Sequence, residues 1–90
     1  MEKLDFNRIG VGMKETYRER FRVLGLKIAY YRKLRGMTQE QFAESIGKSV
    51  SFVSQIEANN SSVVKGISLE TLFAISDKLS VPMSRLFEDI

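Results

Sequence analysis

The chain has 90 residues, 43% of them apolar, and contains neither cysteine nor histidine. It therefore has room for one small domain and lacks disulfides, a cysteine-based zinc site and the commonest general base, so we expect no cofactor. It has no membrane-length apolar run and no secretory signal, which favours a cytoplasmic protein. Residues 1–36 contain ten Lys or Arg and four Asp or Glu, whereas residues 37–90 contain four Lys or Arg and seven Asp or Glu. This imbalance indicates either an anionic partner such as nucleic acid or a solvated basic helix face.

The N-terminal third predicts one long helix preceded by a segment without regular structure. Residues 1–14 contain two glycines, which disfavour a helix there. Helix 1 is predicted from residue 14 or 16 to residue 34 or 35, because apolar side chains recur at three-and-four spacing. This stripe contains Tyr17, Phe21, Leu24, Ile28 and Tyr31. Gly25 disfavours the helix by about 1 kcal/mol relative to Ala, and Gly36 can end it in a left-handed conformation.

Two short helices around a tight turn are predicted between residues 38 and 58. Helix 2 covers about residues 39–46, with Thr38 and Gln41 as a capping box. After the turn at residues 47–49, helix 3 covers about residues 50–58, with Ser49 as its N-cap. Isolated helices of this length are marginal, so the flanking helices must cover their apolar faces. Those faces contain Phe42, Ala43, Ile46, Val53 and Ile56.

The remainder of the chain predicts a loop and two further helices. Residues 59–67 are rich in turn formers. Helix 4 follows Ser68 as N-cap, with an inner stripe of Leu69, Leu72, Ile75 and Leu79. Pro82 breaks this helix, and helix 5 covers about residues 83–88, with Leu86 and Phe87 buried. The expected fold is therefore all-α, with five helices and no sheet.

The outer face of helix 3 is unusually free of charge for a basic protein. A helix-turn-helix presents its second helix to the major groove of DNA. Gln55 can bond an adenine edge, the serines can donate or accept, and Val50 can meet a thymine methyl. The N-terminus of helix 2 offers backbone N–H groups to a phosphate. An ordinary pair of amphipathic helices with a polar outer face explains the generic pattern equally well.

A long residue pattern is more specific than this general layout. It reads RxxRGMTQExFAxxIG over residues 32–47 and SxSxVSxIE over 49–57, and it continues through SLETL at 68–72 to Leu86-Phe87. The pattern resembles the lambda-repressor-like family of bacterial and phage helix-turn-helix regulators, also called the xenobiotic-response-element family. The resemblance implies the five-helix repressor fold, binding to a specific duplex DNA sequence and a homodimer. It assigns residues 23–90 to the DNA-binding domain and leaves residues 1–22 as an N-terminal extension.

The resemblance also implies roles for individual residues. Base-reading positions are Val50, Ser51, Phe52, Ser54 and Gln55. Phosphate-contacting positions are Thr38, Gln39, Lys48, Ser49, Asn59, Asn60, Ser61 and Lys65. Arg32 and Glu57 match an ion pair that joins helix 1 to the end of helix 3. The chain departs from the family at Lys48, where an apolar residue is usual, at Ser80, where glycine is frequent, and in a longer loop before helix 4.

The residues and the resemblance leave two functions open and disfavour a third. The first is a DNA-binding transcriptional regulator, expected to be a repressor, with helix 3 in the major groove. The second is an antitoxin-type module of the same fold, in which residues 1–22 wrap a protein partner and DNA binding is autoregulatory. An enzyme is not expected, because no nucleophile and base are assembled. The dimer surface is expected on helix 5 with residues 87–90 or on the N-terminal arm.

Overall fold

The computed structural model describes residues 6–58 and 61–88, with side chains described for residues 17–58 and 63–88. Within these ranges the chain forms six helices and no strand, so the predicted all-α class is confirmed. The helices are α1 (Phe6–Leu34), α2 (Gln39–Ser45), α3 (Val50–Glu57), α4 (Ser61–Lys65), α5 (Leu69–Leu79) and α6 (Met83–Leu86). One of them, α4, was not expected from the sequence.

Helix α1 begins earlier than predicted. It starts at Phe6 and spans 29 residues, so it includes both glycines of the segment that we expected to be irregular. At about 1.5 Å per residue its length is roughly 43 Å, close to the 47 Å long dimension of the molecule. The prediction was wrong because it weighed the local cost of glycine alone. Once the packed part of a helix has formed, each added residue gains a hydrogen bond without a new nucleation cost.

Helix α4 lies where residues 59–67 were predicted to form a loop. Its Val64 is only 3% exposed and packs in the core, next to Gly25 of α1. Burying an apolar side chain stabilises a short helical turn that its own sequence would not maintain. The segment is rich in turn-forming residues, so its sequence did not indicate that burial of Val64 would stabilise a helix there. Ser61 and Lys65, expected in a loop, are instead the first and last residues of α4.

The core collects apolar side chains from all six helices. All five residues expected to hold the helix-turn-helix to the core are among them, whereas Leu69 and Phe87 are not. These two were predicted to be buried but are 65% and 56% exposed. Both residues lie at helix ends. The periodic apolar pattern continues to these positions in the sequence, but the packing against the core ends before them. The buried apolar side chains are Leu24, Ile28, Phe42, Ala43, Ile46, Val53, Ile56, Val64, Leu72, Ile75, Leu79, Val81 and Leu86.

Three helices end in the same left-handed turn. Gly36 follows α1 with φ 75°, and Gly47 follows α2 with φ 70°. In each case the residue after the glycine donates its N–H to the carbonyl five residues earlier, which satisfies an otherwise unpaired helical carbonyl. Helix α5 ends in this way with Ser80, which has φ 56° although it carries a side chain.

Candidate nucleic-acid interface

Helices α2 and α3 each begin at a residue whose side chain caps the helix. Thr38 Oγ1 accepts from the N–H of Gln41 at 3.0 Å, and Gln41 Oε1 accepts from the N–H of Thr38 at 2.9 Å. Ser49 Oγ accepts from the N–H of Phe52 at 3.0 Å. In these caps the hydroxyl oxygens of Thr38 and Ser49 act only as acceptors, so each hydroxyl proton can still be donated. Both residues are exposed, and both could donate to a phosphate oxygen.

The outer face of α3 brings together four of the five predicted base-reading residues. Val50, Ser51, Ser54 and Gln55 are all exposed and lie on one side of the helix. The fifth, Phe52, is half-buried and packs against the core, with Lys48 Nζ 5.5 Å from its ring centroid. Lys48 thus lies along the edge of the core while its side chain remains exposed.

Two residues of this outer face bond each other. Gln55 Nε2 donates to Ser51 Oγ at 2.9 Å, across one turn of α3. This bond uses one of the two N–H groups of the amide and leaves the other N–H and the carbonyl oxygen. An adenine edge offers one acceptor and one donor to such a pair. The bond therefore restricts the Gln55 side chain without removing the groups that would bind a base.

A buried ion pair joins α1 to the end of α3, at the positions where the sequence predicts one. Arg32 Nε and Nη2 donate to the two carboxylate oxygens of Glu57 at 2.7 and 2.9 Å. The side chains are only 8% and 7% exposed. Arg32 Nη1 also donates to the carbonyl oxygen of Met37 at 2.6 Å, immediately before α2. One guanidinium thus fixes both helices of the pair to α1.

The same carboxylate holds Gln39, a contact that the sequence reasoning missed. Gln39 Nε2 donates to Glu57 Oε1 at 3.0 Å, which links the start of α2 to the end of α3. A carboxylate only accepts, so the amide must turn its NH₂ group toward Glu57. One N–H then remains for a phosphate at the N-terminus of α2. The two residues are 18 positions apart, and no local pattern could have shown that they meet.

The remaining predicted phosphate positions are distributed around these helices. Lys48 is exposed in the turn, and Lys65 is exposed at the end of α4. Asn59 and Asn60 lie outside the described residues, and Ser61 is described by its backbone only. Within residues 6–58 and 61–88, no group of His, Cys, Asp or Glu is placed to hold a metal ion. In the same ranges no helix combines the length and apolar character needed to cross a membrane.

This geometry defines a helix-turn-helix protein, with a rigid helix pair and a hydrogen-bonding outer face on its second helix. Residues 28–86 match the helix-turn-helix family model, and the chain belongs to this Cro/CI-type family, as its sequence predicted. Over 63 residues it is 36% identical to YazB of Bacillus subtilis (strain 168), described as an uncharacterized HTH-type transcriptional regulator. That alignment covers 67% of this chain and 91% of YazB.

Proposed function

We propose that this protein is a regulator of transcription that binds a specific double-stranded DNA sequence and represses by occupying it. The observation that carries the proposal is the outer face of α3. Four exposed, uncharged side chains there can hydrogen-bond or contact a thymine methyl, and a buried ion pair fixes the helix that presents them. Membership of the helix-turn-helix family and the similarity to a protein described as a transcriptional regulator support the same function.

In the proposed complex α3 enters the major groove and α2 crosses the phosphate backbone. Gln55 pairs with an adenine through its carbonyl oxygen and remaining N–H, while Val50 packs on a thymine methyl. Ser51 and Ser54 donate to or accept from the neighbouring base edges. The free N–H of Gln39 and the hydroxyls of the two cap residues bind phosphates on one side of the groove.

The charge for phosphate binding comes from outside α3. Lys48 in the turn before α3 and Lys65 at the end of α4 are both exposed, and they lie on either side of α3 in the chain. The uncharged face of α3 can still recognise bases, since amide and hydroxyl groups donate to and accept from base edges while phosphate contacts elsewhere position the protein. In this arrangement the phosphate contacts supply affinity for any DNA sequence, and the base contacts of α3 supply specificity for one sequence.

We further propose a homodimer that acts in the cytoplasm on bacterial or phage DNA. One α3 reads only a few base pairs, whereas two related by a two-fold axis read two half-sites about 34–36 Å apart. Repression is proposed because a dimer seated over a promoter excludes other proteins by its volume alone. This mechanism needs no contact beyond those to DNA.

Selection of bound sequences from random duplex DNA tests the proposal. We expect enrichment of an inverted repeat whose half-site centres are about 10–10.5 base pairs apart. The selected site is then placed over the promoter of a reporter gene, where the protein should lower expression. If no sequence is enriched, specific DNA binding is wrong, whereas a rise in reporter expression would leave DNA binding intact and reject repression.

A further inference from the structure

The side-chain amide of Gln55 can match two different bases, depending on which of its groups face the DNA. The amide has one carbonyl oxygen and two N–H groups. The oxygen together with one N–H matches adenine, whose major-groove edge offers the N6 amino group and the N7 acceptor. Both N–H groups together match guanine, whose edge offers the two acceptors O6 and N7. The base that Gln55 selects therefore depends on how its amide is held.

Ser51 holds this amide in one orientation. Gln55 Nε2 donates to Ser51 Oγ at 2.9 Å, from the next turn of α3. Side chains four residues apart are neighbours on a helix surface, so the bond needs no distortion of α3. Among the residues that the structure describes, Ser51 is the only side chain bonded to the amide, and Ser54 on the same exposed face does not bond it.

The bond leaves Gln55 suited to adenine and unsuited to guanine. Because Ser51 occupies one N–H, the amide presents its oxygen and a single N–H to a base. Against adenine the oxygen accepts from N6 and the N–H donates to N7. Against guanine the oxygen would lie opposite a second acceptor, so that one hydrogen bond is lost and two acceptors are left facing each other.

We propose that Ser51 determines the base that Gln55 reads, adenine rather than guanine, by occupying one N–H of its amide. The inference rests on the proposed function and deepens it, since it specifies which base edge α3 recognises. Ser51 acts here as a positioning residue. Its oxygen accepts from Gln55, so its hydroxyl proton is still available for an acceptor on the DNA.

NMR of the DNA-free protein tests the bond itself, because the bond lies within one chain and forms without DNA. The side-chain amide resonances of Gln55 are assigned by their loss in Gln55→Ala. Ser51→Ala should shift these resonances and bring the two N–H protons closer in chemical shift. Ser54→Ala is the matched control, since it removes a hydroxyl from the same exposed face and should leave them unchanged. Equal shifts in both serine variants, or none in either, overturn the proposal.

A pair of DNA duplexes tests the choice of base. Selection from random duplex DNA gives the preferred site, and loss of discrimination in Gln55→Ala locates the base pair that Gln55 reads. Two duplexes that differ only there, with adenine or guanine in the same strand, are then titrated. The parent should prefer adenine by roughly 5- to 100-fold, the range for a bidentate contact. Ser51→Ala should lower this ratio to about threefold or less, because the released amide can give both N–H groups to guanine.

Failure of this role for Ser51 and failure of the proposed function give different results. Ser54→Ala should keep the parent ratio, and the ratio cancels any general loss of affinity that a serine variant causes. A parent that enriches no sequence rejects specific DNA binding, and the choice of base with it. A parent that enriches a site but prefers a base other than adenine at that position overturns the role of Ser51 alone. So does a Ser51→Ala variant that keeps the parent ratio, and in both cases DNA recognition stands.

Discussion

Gly25 of α1 lies directly against the carbonyl oxygen of Ile56, in the last turn of α3. A Cβ on residue 25 would fall far inside van der Waals contact with that oxygen, and Val64 Cγ2 would be only 3.6 Å away. The absence of a side chain lets α1 and α3 approach closely. A residue that is unfavourable for the helix by its propensity is therefore required by the packing that positions α3.

Gly25→Ala should lower the free energy of unfolding by about 1–3 kcal/mol, the usual cost of overpacking. The loss would occur although Ala favours an exposed helix by about 1 kcal/mol over Gly. Urea denaturation measures it, with Lys33→Ala as an exposed control on the same helix. NMR amide shifts around Ile56 should report movement of α3. A more stable Gly25→Ala variant would contradict the close approach.

The ion pair between Arg32 and Glu57 should be one of the most sensitive points of the fold. Glu57→Gln leaves the buried guanidinium without its counter-charge, so we expect a loss of about 3–5 kcal/mol in unfolding free energy. Glu19→Gln removes a comparable partner from Arg22, but that pair is exposed and should contribute little. Urea denaturation of both variants makes the comparison. Equal losses would show that burial does not decide the strength of the pair.

A double-mutant cycle separates the pair itself from the cost of an unpaired charge. Removing both partners, as in Arg32→Met with Glu57→Leu, leaves no buried charge and should cost clearly less than the two single changes added together. The expected coupling is at least about 1 kcal/mol. If the single losses are simply additive, Arg32 and Glu57 act independently and the ion pair does not join the helices.

Ser80 offers a site where the protein can be stabilised. It ends α5 with φ 56°, a left-handed conformation that costs a residue with a Cβ roughly 1–2 kcal/mol. Ser80→Gly removes this cost. It also raises the conformational entropy of the unfolded chain, which favours unfolding by about 0.4–1 kcal/mol. We expect a net gain of about 0.5–1 kcal/mol in unfolding free energy, measured by urea denaturation. A loss would mean that the Ser80 side chain has a stabilising role that outweighs the backbone strain.

The features predicted correctly from the sequence depend on short-range signals. The capping pair Thr38 and Gln41 and the caps Ser49 and Ser68 act within three residues, so the order of residue types is sufficient to show them. The apolar stripes of α2 and α3 are likewise periodic in the chain. The ion pair between Arg32 and Glu57 was predicted from the family resemblance, because the two residues are 25 positions apart and no short-range signal links them.

The features that were missed depend on contacts between distant segments. Helix α4 forms because Val64 reaches the core, and Gln39 is fixed because Glu57 lies 18 residues away in the chain. Arg35 Nε likewise donates to the carbonyl oxygen of Leu79 at 2.6 Å, 44 residues further along the chain, and stabilises the end of α5. Residue type and spacing contain no information on such contacts.

Gln55→Ala should relax the choice of sequence while leaving general DNA binding intact. The amide is proposed to read one base pair, so its loss should cost about 1–3 kcal/mol on the preferred site and little on unrelated DNA. Titration of a labelled duplex with the parent site, and of duplexes changed at single positions, measures the effect. Ser54→Ala serves as a neighbouring control that should affect a different base pair. Unchanged discrimination at every position would exclude Gln55 as a base-reading residue.

Lys48 and Gln39 should affect DNA binding in different ways if both contact phosphates. Each cation that neutralises a phosphate releases condensed counterions, so Lys48→Ala should reduce the slope of log affinity against log salt by about 0.9. Gln39→Ala removes a neutral donor and should weaken binding without altering that slope. Lys78→Ala is the control, because Lys78 is an exposed cation near the end of α5, outside the proposed interface. Binding isotherms over a range of salt concentrations measure all three slopes. If Lys48→Ala and Lys78→Ala change the slope equally, the effect is one of overall charge and Lys48 makes no specific phosphate contact.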